Sequence, residues 1–264
     1  MIDSTGIWKD IAAIRRHAPL VHNVTNWVAM DFTANALLAL GASPVMAHAP
    51  QELPEMTALA GAVVLNMGTL DDAWVTSMLG ALAVARERER PVVFDPVGAG
   101  ATQFRTETAR HILAEGGVSV VRGNASEIGA LAGSAARTKG VDSLDRPLTV
   151  AAAAVGLLKQ CHSIVISGPQ DIVITHDDRY VLGNGCAMMT KVTGMGCTAS
   201  AVVGAFLAVQ ANPFQAAAHA MAVVGIAGEL ARDASDGPGS LRLHFLDALY
   251  SLDEKTIAAR LRVE

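Results

Sequence analysis

The stretch A-V-V-L-N-M-G-T-L-D-D-A-W-V-T-S-M-L-G-A-L-A-V-A-R-E-R-E-R-P-V-V-F-D-P, residues 62–96, decides the fold. Its two ends, Ala62 to Asn66 and Pro91 to Pro96, are short apolar runs of the length expected for strands buried on both faces. Between them Asp71 to Arg90 reads as a helix, with acids first and arginines last, the order that complements the helix dipole. Strand, helix and strand, with no polar face on either strand, is the repeat of a parallel sheet covered by helices on both sides.

The alternation continues outward. Upstream, Gly6 to His17 places Ile7, Ile11 and Ile14 on one helical face, and L-V-H-N-V (20–24) reads as a strand. Asn26 to Leu40 reads as a helix closed by Gly41, S-P-V-M-A-H (43–48) as a strand and Gln51 to Ala60 as a short helix. Downstream come a helix near Arg105 to Glu115, the strand V-S-V-V-R-G-N (118–124), an Ala-rich helix from Leu148 to Gln160 and the strand S-I-V-I-S-G (163–168). D-I-V-I-T-H-D-D-R-Y-V-L (171–182) reads as a hairpin turning at His176 to Asp178. Two apolar helices separated at Asn212–Pro213 follow, then a last helical region from near Leu246 to Arg262. Gly133 to Arg146 is small and polar, the composition of a mobile loop. No composition shift marks a linker, so residues 1–264 read as one α/β domain with a mostly parallel central sheet.

Bulk properties narrow the function classes. The chain is 51% hydrophobic and 17% charged, a balance that leaves apolar surface to bury between subunits. A net charge of −5 argues against nucleic acid or an anionic membrane as partner. Three cysteines without C-x-x-C spacing fit neither a disulfide framework nor a structural zinc site, and suit a reducing cytoplasm. The first residues lack the order of a signal peptide, and the apolar runs are broken by Gly, Pro or charge before membrane-spanning length.

The chemistry gathers around K-V-T-G-M-G-C-T-A-S-A, residues 191–201. Gly194, Gly196 and Cys197 stand at the start of an apolar helix, where backbone N–H groups lack intrahelical partners and the dipole is positive. That is a cradle for an anion such as phosphate, and a place that favours thiolate. The segment reads equally as a glycine turn before a core cysteine. In a parallel sheet the site lies at the carboxyl ends of strands. The polar residues there are His22, Asn23, Thr25 and Asn26, then His48, Asn66, Asp95, Arg122, Asn124, Glu127 and Ser167, with Met46 beside them. Asp95 and Glu127 suit a hydrated Mg²⁺, which takes one or two carboxylates plus phosphate oxygens. Asp95 before Pro96 reads also as a turn start, and Glu127 three residues after Asn124 as half of a capping box. Arg122 offers a fork suited to phosphate. Walker and nucleophile-elbow motifs are absent. G-M-G-C-T-A (194–199) fits a loose dinucleotide fingerprint but lacks an acid about 20 residues on, so an NAD-dependent oxidoreductase is the alternative, with a non-catalytic binding module as a second.

The blocks H-N-V-T-N-W-V-A-M-D-F-T-A-N-A-L-L-A-L-G-A-S-P-V-M-A-H-A (22–49), L-N-M-G-T-L, P-V-V-F-D-P-V-G-A-G-A-T, R-G-N-A-S-E-I, I-S-G-P-Q-D and K-V-T-G-M-G-C closely resemble the hydroxyethylthiazole kinases. The resemblance runs in order from His22 to Ala201 and implies a ribokinase-like fold. It implies transfer of the γ-phosphate of ATP to the primary alcohol of 4-methyl-5-(2-hydroxyethyl)thiazole, in thiamine biosynthesis and salvage. By position it implies Met46 and Gly194 as substrate contacts, with Asn23 and Thr25 in the thiazole pocket. Arg122, Ser167, Asn124 and Gly196 fall on the ATP side, Asp95 and Glu127 where Mg²⁺ is organised, and Cys197 where the wider superfamily places its Asp base. It also implies a cytoplasmic homotrimer with sites between subunits. Val24, Asp31 and Met195 stand where the family more often has Ile, Asn and Thr.

Overall fold

The computed structural model describes residues 2–133 and 145–264, so the expected loop from Gly133 to Arg146 lies almost wholly outside the described residues. In chain order the elements are α1 (Ser4–His17), β1 (Leu20–Val24), α2 (Met30–Leu40), β2 (Ser43–Val45), α3 (Leu53–Leu59), β3 (Ala62–Asn66), α4 (Asp72–Glu87) and β4 (Val92–Asp95). Then come α5 (Gln103–Glu115), β5 (Val118–Asn124), α6 (Ala125–Leu131), α7 (Asp145–Ala154), β6 (Cys161–Ser167), β7 (Asp171–Ile174) and β8 (Arg179–Leu182). The helices α8 (Met195–Leu207), α9 (Pro213–Asp233), α10 (Pro238–Ser251) and α11 (Glu254–Arg260) complete the chain.

All eight strands form one sheet in the order β2-β1-β3-β4-β5-β6-β7-β8. The pairings from β2 to β6 are parallel, and the hairpin strands β7 and β8 add antiparallel pairs at one edge. The mostly parallel sheet expected from the sequence is therefore present. Alternate side chains of each strand serve two cores. Val64 faces the core shared with α1, α2, α8, α9 and α10, whereas Val63 and Leu65 face the core shared with α4, α5 and α6. From β1 the chain moves to β2 on one side and later to β3 on the other. The loops at the carboxyl ends of β1 and β3 therefore diverge and open a crevice, the usual ligand position in such sheets.

Several boundaries differ from the sequence reading. The helix expected from Asn26 begins at Met30, because Asn26 is held in a turn whose backbone and side-chain oxygens both accept from the Ala29 N–H. The single helix expected to end the chain is two. α10 starts at Pro238, a residue suited to a first helical turn, and α11 starts anew after Asp253 caps Thr256. The helix expected from Leu148 to Gln160 is α-helical only to Ala154 and tightens into a 3-10 turn over Val155–Lys159, and the 3-10 turn Ala187–Lys191 carries no periodic signal. α9 is, by length and composition, apolar enough to cross a membrane, contrary to the expectation that no run reached that length. Its most apolar window is 89% buried inside the protein, which is the position of a core helix.

α8 lies close on the sheet, with Gly204 above β1 and β3. A Cβ at Gly204 would stand 2.7 Å from Val64 Cγ2 and 3.2 Å from Val21 Cγ1, both in immobile central strands. Overpacking of this kind costs about 1–3 kcal/mol, more than the roughly 1 kcal/mol of helix propensity that Ala gains over Gly. Gly204→Ala is therefore expected to lower the urea midpoint with an unchanged slope, and an equal or higher midpoint would contradict this packing.

Candidate active site

The crevice is built around the first turn of α8. Gly194 is its N-cap, with φ 80°, a left-handed conformation suited to glycine, and no side chain caps the helix. The first-turn N–H groups thus face outward with the positive end of the helix dipole. Arg122, near the end of β5, lies across this turn, its Nη1 2.9 Å from where a Gly196 Cβ would stand. The Arg122 Nε is buried without a hydrogen-bond partner. Arg122, Asn124, Ser167 and Gly196, the residues expected on the ATP side, line one cleft of about 650 Å³, together with Gly194, which was expected to contact the substrate.

A chain of buried polar side chains ties α8 to the strand ends. Asn26 Nδ2 donates to Cys197 Sγ at 3.2 Å and to Asn66 Oδ1 at 2.8 Å. Asn66 Nδ2 donates to Asp95 Oδ2 at 2.8 Å, and Ser200 Oγ donates to the same oxygen at 2.7 Å. One carboxylate on β4 thereby holds residues of β3, of the β1–α2 loop and of α8. Asn26, Asn66 and Ser200 carried no role in the sequence reading. Asn26 and Asn66 stood among the strand-end polar residues without an assigned role, whereas Ser200 looks like one more small residue of an Ala-rich helix.

Titration in the site follows from burial and charge. Burial pushes Asp95 up to about 6, opposed by Arg122 and the Ser200 hydrogen bond. Asp171, at the start of β7, is likewise pushed up to about 6 by burial, with Arg122 pulling it back. The Cys197 thiol is raised, first by burial and then by the Asp95 charge, with the Asn26 and Asn66 amides and Arg122 opposing. The helix N-terminus favours thiolate, whereas dehydration and a neighbouring carboxylate act in the opposite direction.

The remaining expected residues lie around this centre. Glu127 completes the capping box: Asn124 Oδ1 accepts from Ser126 and Glu127, and Glu127 Oε2 accepts from the Asn124 N–H. Its Oε1 accepts from the Gly98 N–H at 2.9 Å, so the carboxylate also ties β5 to the loop after β4. Asn23 and Thr25 are buried, with the Asn23 amide donating to the Val21 carbonyl and its Oδ1 left unpartnered. Met46 is half-buried beyond β2 and is not among the residues lining the cleft. The dinucleotide fingerprint fails on structure as well as on spacing, since the 3-10 turn Ala187–Lys191, not a strand, leads into Gly194.

Residues 11–255 match the hydroxyethylthiazole kinase family. The chain belongs to that family. A hydroxyethylthiazole kinase of Syntrophus aciditrophicus is 53% identical over 97% of this chain and 96% of its own length. One from Nitratidesulfovibrio vulgaris (Miyazaki F) is 49% identical over 97% of each. The solved hydroxyethylthiazole kinase protein of Pyrococcus horikoshii superposes with a TM-score of 0.88 at 41% identity, covering 98% of both chains. Pyridoxal kinase of Staphylococcus aureus shares only the ribokinase-like fold, with a TM-score of 0.59 at 18% identity. As a member of this family the chain is a small-molecule kinase.

The raised Asp171 carboxyl has a consequence for stability. A folded-state value of about 6, against the ordinary aspartate value of 3.8, means that the native protein holds this proton more tightly than the unfolded chain. That stabilisation is full below the unfolded value and is lost as pH rises through about 6. Asp171→Asn cannot ionise, so its denaturation midpoint is expected to gain on the native one as pH is raised from 4 to 7.5. A constant or shrinking difference would contradict the assignment.

Proposed function

We propose that the chain transfers the γ-phosphoryl group of ATP to the primary alcohol of 4-methyl-5-(2-hydroxyethyl)thiazole, a step of thiamine biosynthesis and salvage. The observation that carries the site assignment is Arg122, its Nε buried and unpartnered, lying over the uncapped N-terminus of α8 within a cleft. Cationic donors fixed in a partly dry site stabilise charge that develops on a transferring phosphoryl group. Arg122, Asn124, Ser167 and Gly196 would bind ATP; Met46, Gly194, Asn23 and Thr25 would hold the thiazole alcohol.

In the transfer the alcohol oxygen bonds to the γ-phosphorus as the bond to the leaving ADP oxygen breaks, and the alcohol proton goes to Cys197 Sγ. Asn26 orients that sulfur and stabilises its charged form by hydrogen bonding. Because burial raises the thiol, the ionised fraction grows with pH, and turnover should rise with it. Mg²⁺, the ion such kinases use with ATP, supplies neutralising charge on the phosphate oxygens when bound. Asp95 and Glu127 would hold it: the Glu127 charge is felt at Asp95, which has only Oδ2 engaged by protein donors. Both Glu127 oxygens accept backbone N–H groups, so Glu127 would act through a water of the hydrated ion. Among the described residues no cluster of three metal-ligating side chains exists, which suits a hydrated ion held by one or two carboxylates.

The unbroken sheet supports reading residues 1–264 as a single kinase domain. A cytoplasmic location agrees with the free cysteines, and the net charge of −5 with the absence of nucleic-acid or membrane partners. A homotrimer with sites between subunits agrees with Trp27 and Val28, which are 58% and 62% exposed beside Asn26.

One set of assays tests these readings. ADP release should require the thiazole alcohol and Mg²⁺, and in sedimentation fractions should follow the trimer. Cys197→Ala should lose about 10²–10⁴ in turnover, the usual loss with a general base. Cys197→Asp should retain substantial turnover and lose the rise with pH, since a carboxylate is already ionised. Alcohol-independent ADP release would overturn the kinase reading, activity in a monomer the trimer, and an Ala variant as fast as native the base.

A further inference from the structure

The cleft has a wall that is held from behind. Between β8 and α8 the connection 183–194 contributes Asn184, Gly185 and Cys186 to the cleft, facing Met221 and Val224 of α9. Behind that wall sits Glu229 of α9, 3% exposed and not among the residues lining the cleft. Its Oε1 accepts from the Gly185 N–H at 2.8 Å and from Asn184 Nδ2 at 3.2 Å. Arg262, after α11, donates to both oxygens of Glu229 and also to the Gly183 carbonyl, at 2.7 Å from Nη2 and 3.1 Å from Nε. The Arg262 backbone N–H is accepted by Asn184 Oδ1 at 2.9 Å, and Asn184 Nδ2 donates to the Arg260 carbonyl at 2.8 Å. Residues 181 and 264 exchange both backbone hydrogen bonds, so this segment is laid along the sheet edge.

A buried carboxylate left without partners is strongly unfavourable, so this one fixes its donors in place as firmly as they satisfy it. Two of the donors, the Gly185 N–H and Asn184 Nδ2, belong to the wall itself; Arg262, with Arg260 at 3.9 Å, balances the charge from the other side. α9 also approaches the wall directly, since a Cβ at Gly225 would stand 2.6 Å from Asn184 Cβ. Met221 and Val224 in the cleft lining are apolar and suit a nucleotide base, while Arg122 and Gly196 in the same lining suit phosphate.

We propose that Glu229 and Arg262 are positioning residues for the nucleotide, acting through Asn184 and Gly185 to set the shape of the cleft's base-binding wall. The proposal rests on the reading of this cleft as the ATP site. Neither side chain touches the reacting atoms, so the pair governs how well ATP is held and leaves the transfer step alone.

The test is steady-state kinetics on the full chain, with ATP and the thiazole alcohol varied in turn, beside thermal melts and titration of a non-hydrolysable ATP analogue. Arg262→Met keeps the aliphatic stem at a side chain that is 54% exposed, so it is the variant most certain to fold. It should raise the KM for ATP and the analogue's Kd by about tenfold, the scale of one hydrogen bond to a charged group. Turnover at saturating ATP and the KM for the alcohol should be unchanged. Arg262→Lys should restore part of the affinity, and Glu229→Gln, which keeps an acceptor for Gly185, should lose less than Glu229→Ala. A lowered melting temperature with native KM for ATP in the folded variants would overturn the proposal and leave the pair a structural staple. Arg122→Ala separates the two layers of the argument. If it weakens ATP and Arg262→Met does not, only the positioning role fails; if neither weakens ATP, the cleft assignment fails and this proposal with it.

Discussion

One buried carboxylate carries the arrangement of the site. Asp95 ends β4, is 1% exposed, and takes hydrogen bonds from Asn66 and Ser200 on the same oxygen. Burial works against its charge, so the fold must supply donors, and each donor comes from a different element. Asn66 passes the constraint to Asn26 and so to Cys197, and Ser200 passes it to the first turns of α8. The same acid, after burial, raises the Cys197 thiol, so the group that places this sulfur also bears on how readily it ionises. Position and reactivity at this centre therefore share a source.

That arrangement depends on topology as much as on side chains. The divergence of the chain at β1 and β3 clears the space above their carboxyl ends, and α8 crosses there because Gly204 lets it lie close on the strands. Arg122 arrives from β5 on the far side of β4 and meets the same helix turn at Gly196. The antiparallel hairpin then extends the sheet and supplies the opposite wall of the cleft, braced from behind by α9 and the segment at 262–264. Arg122 with the first turn of α8, and the stretch 184–186, are thus held by different parts of the fold.

The sequence made the architecture legible wherever strands were apolar on both faces, as from Ala62 to Asn66 and from Val118 to Val121. It also marked Arg122, Ser167, Gly194 and Gly196, because strand ends and helix starts are local features. Residues whose meaning lies in distant partners stayed hidden. Asn26 finds Asn66 and Cys197 across 40 and 171 positions of chain, so it looked like the start of a helix. Glu229 sits in an Ala-rich helix with nothing in its neighbourhood to announce Arg262 or Gly185. For Glu127 both readings of the spacing had a physical basis, and the structure shows the cap formed with both oxygens in use. The direction of the Cys197 shift was also beyond local reading, because it is set by dehydration and by Asp95 on another strand.

The central claim is that Asp95, Asn66, Asn26 and Cys197 act as one unit. A double-mutant cycle on turnover, with Asn66→Ala, Cys197→Ala and the double variant, tests it most directly. Side chains that act as a unit show strongly non-additive losses. If Asn66 serves the reaction by placing Cys197 through Asn26, the double variant should be little slower than Cys197→Ala alone. Losses that simply multiply would show that Asn66 and Cys197 work independently, and would contradict the account.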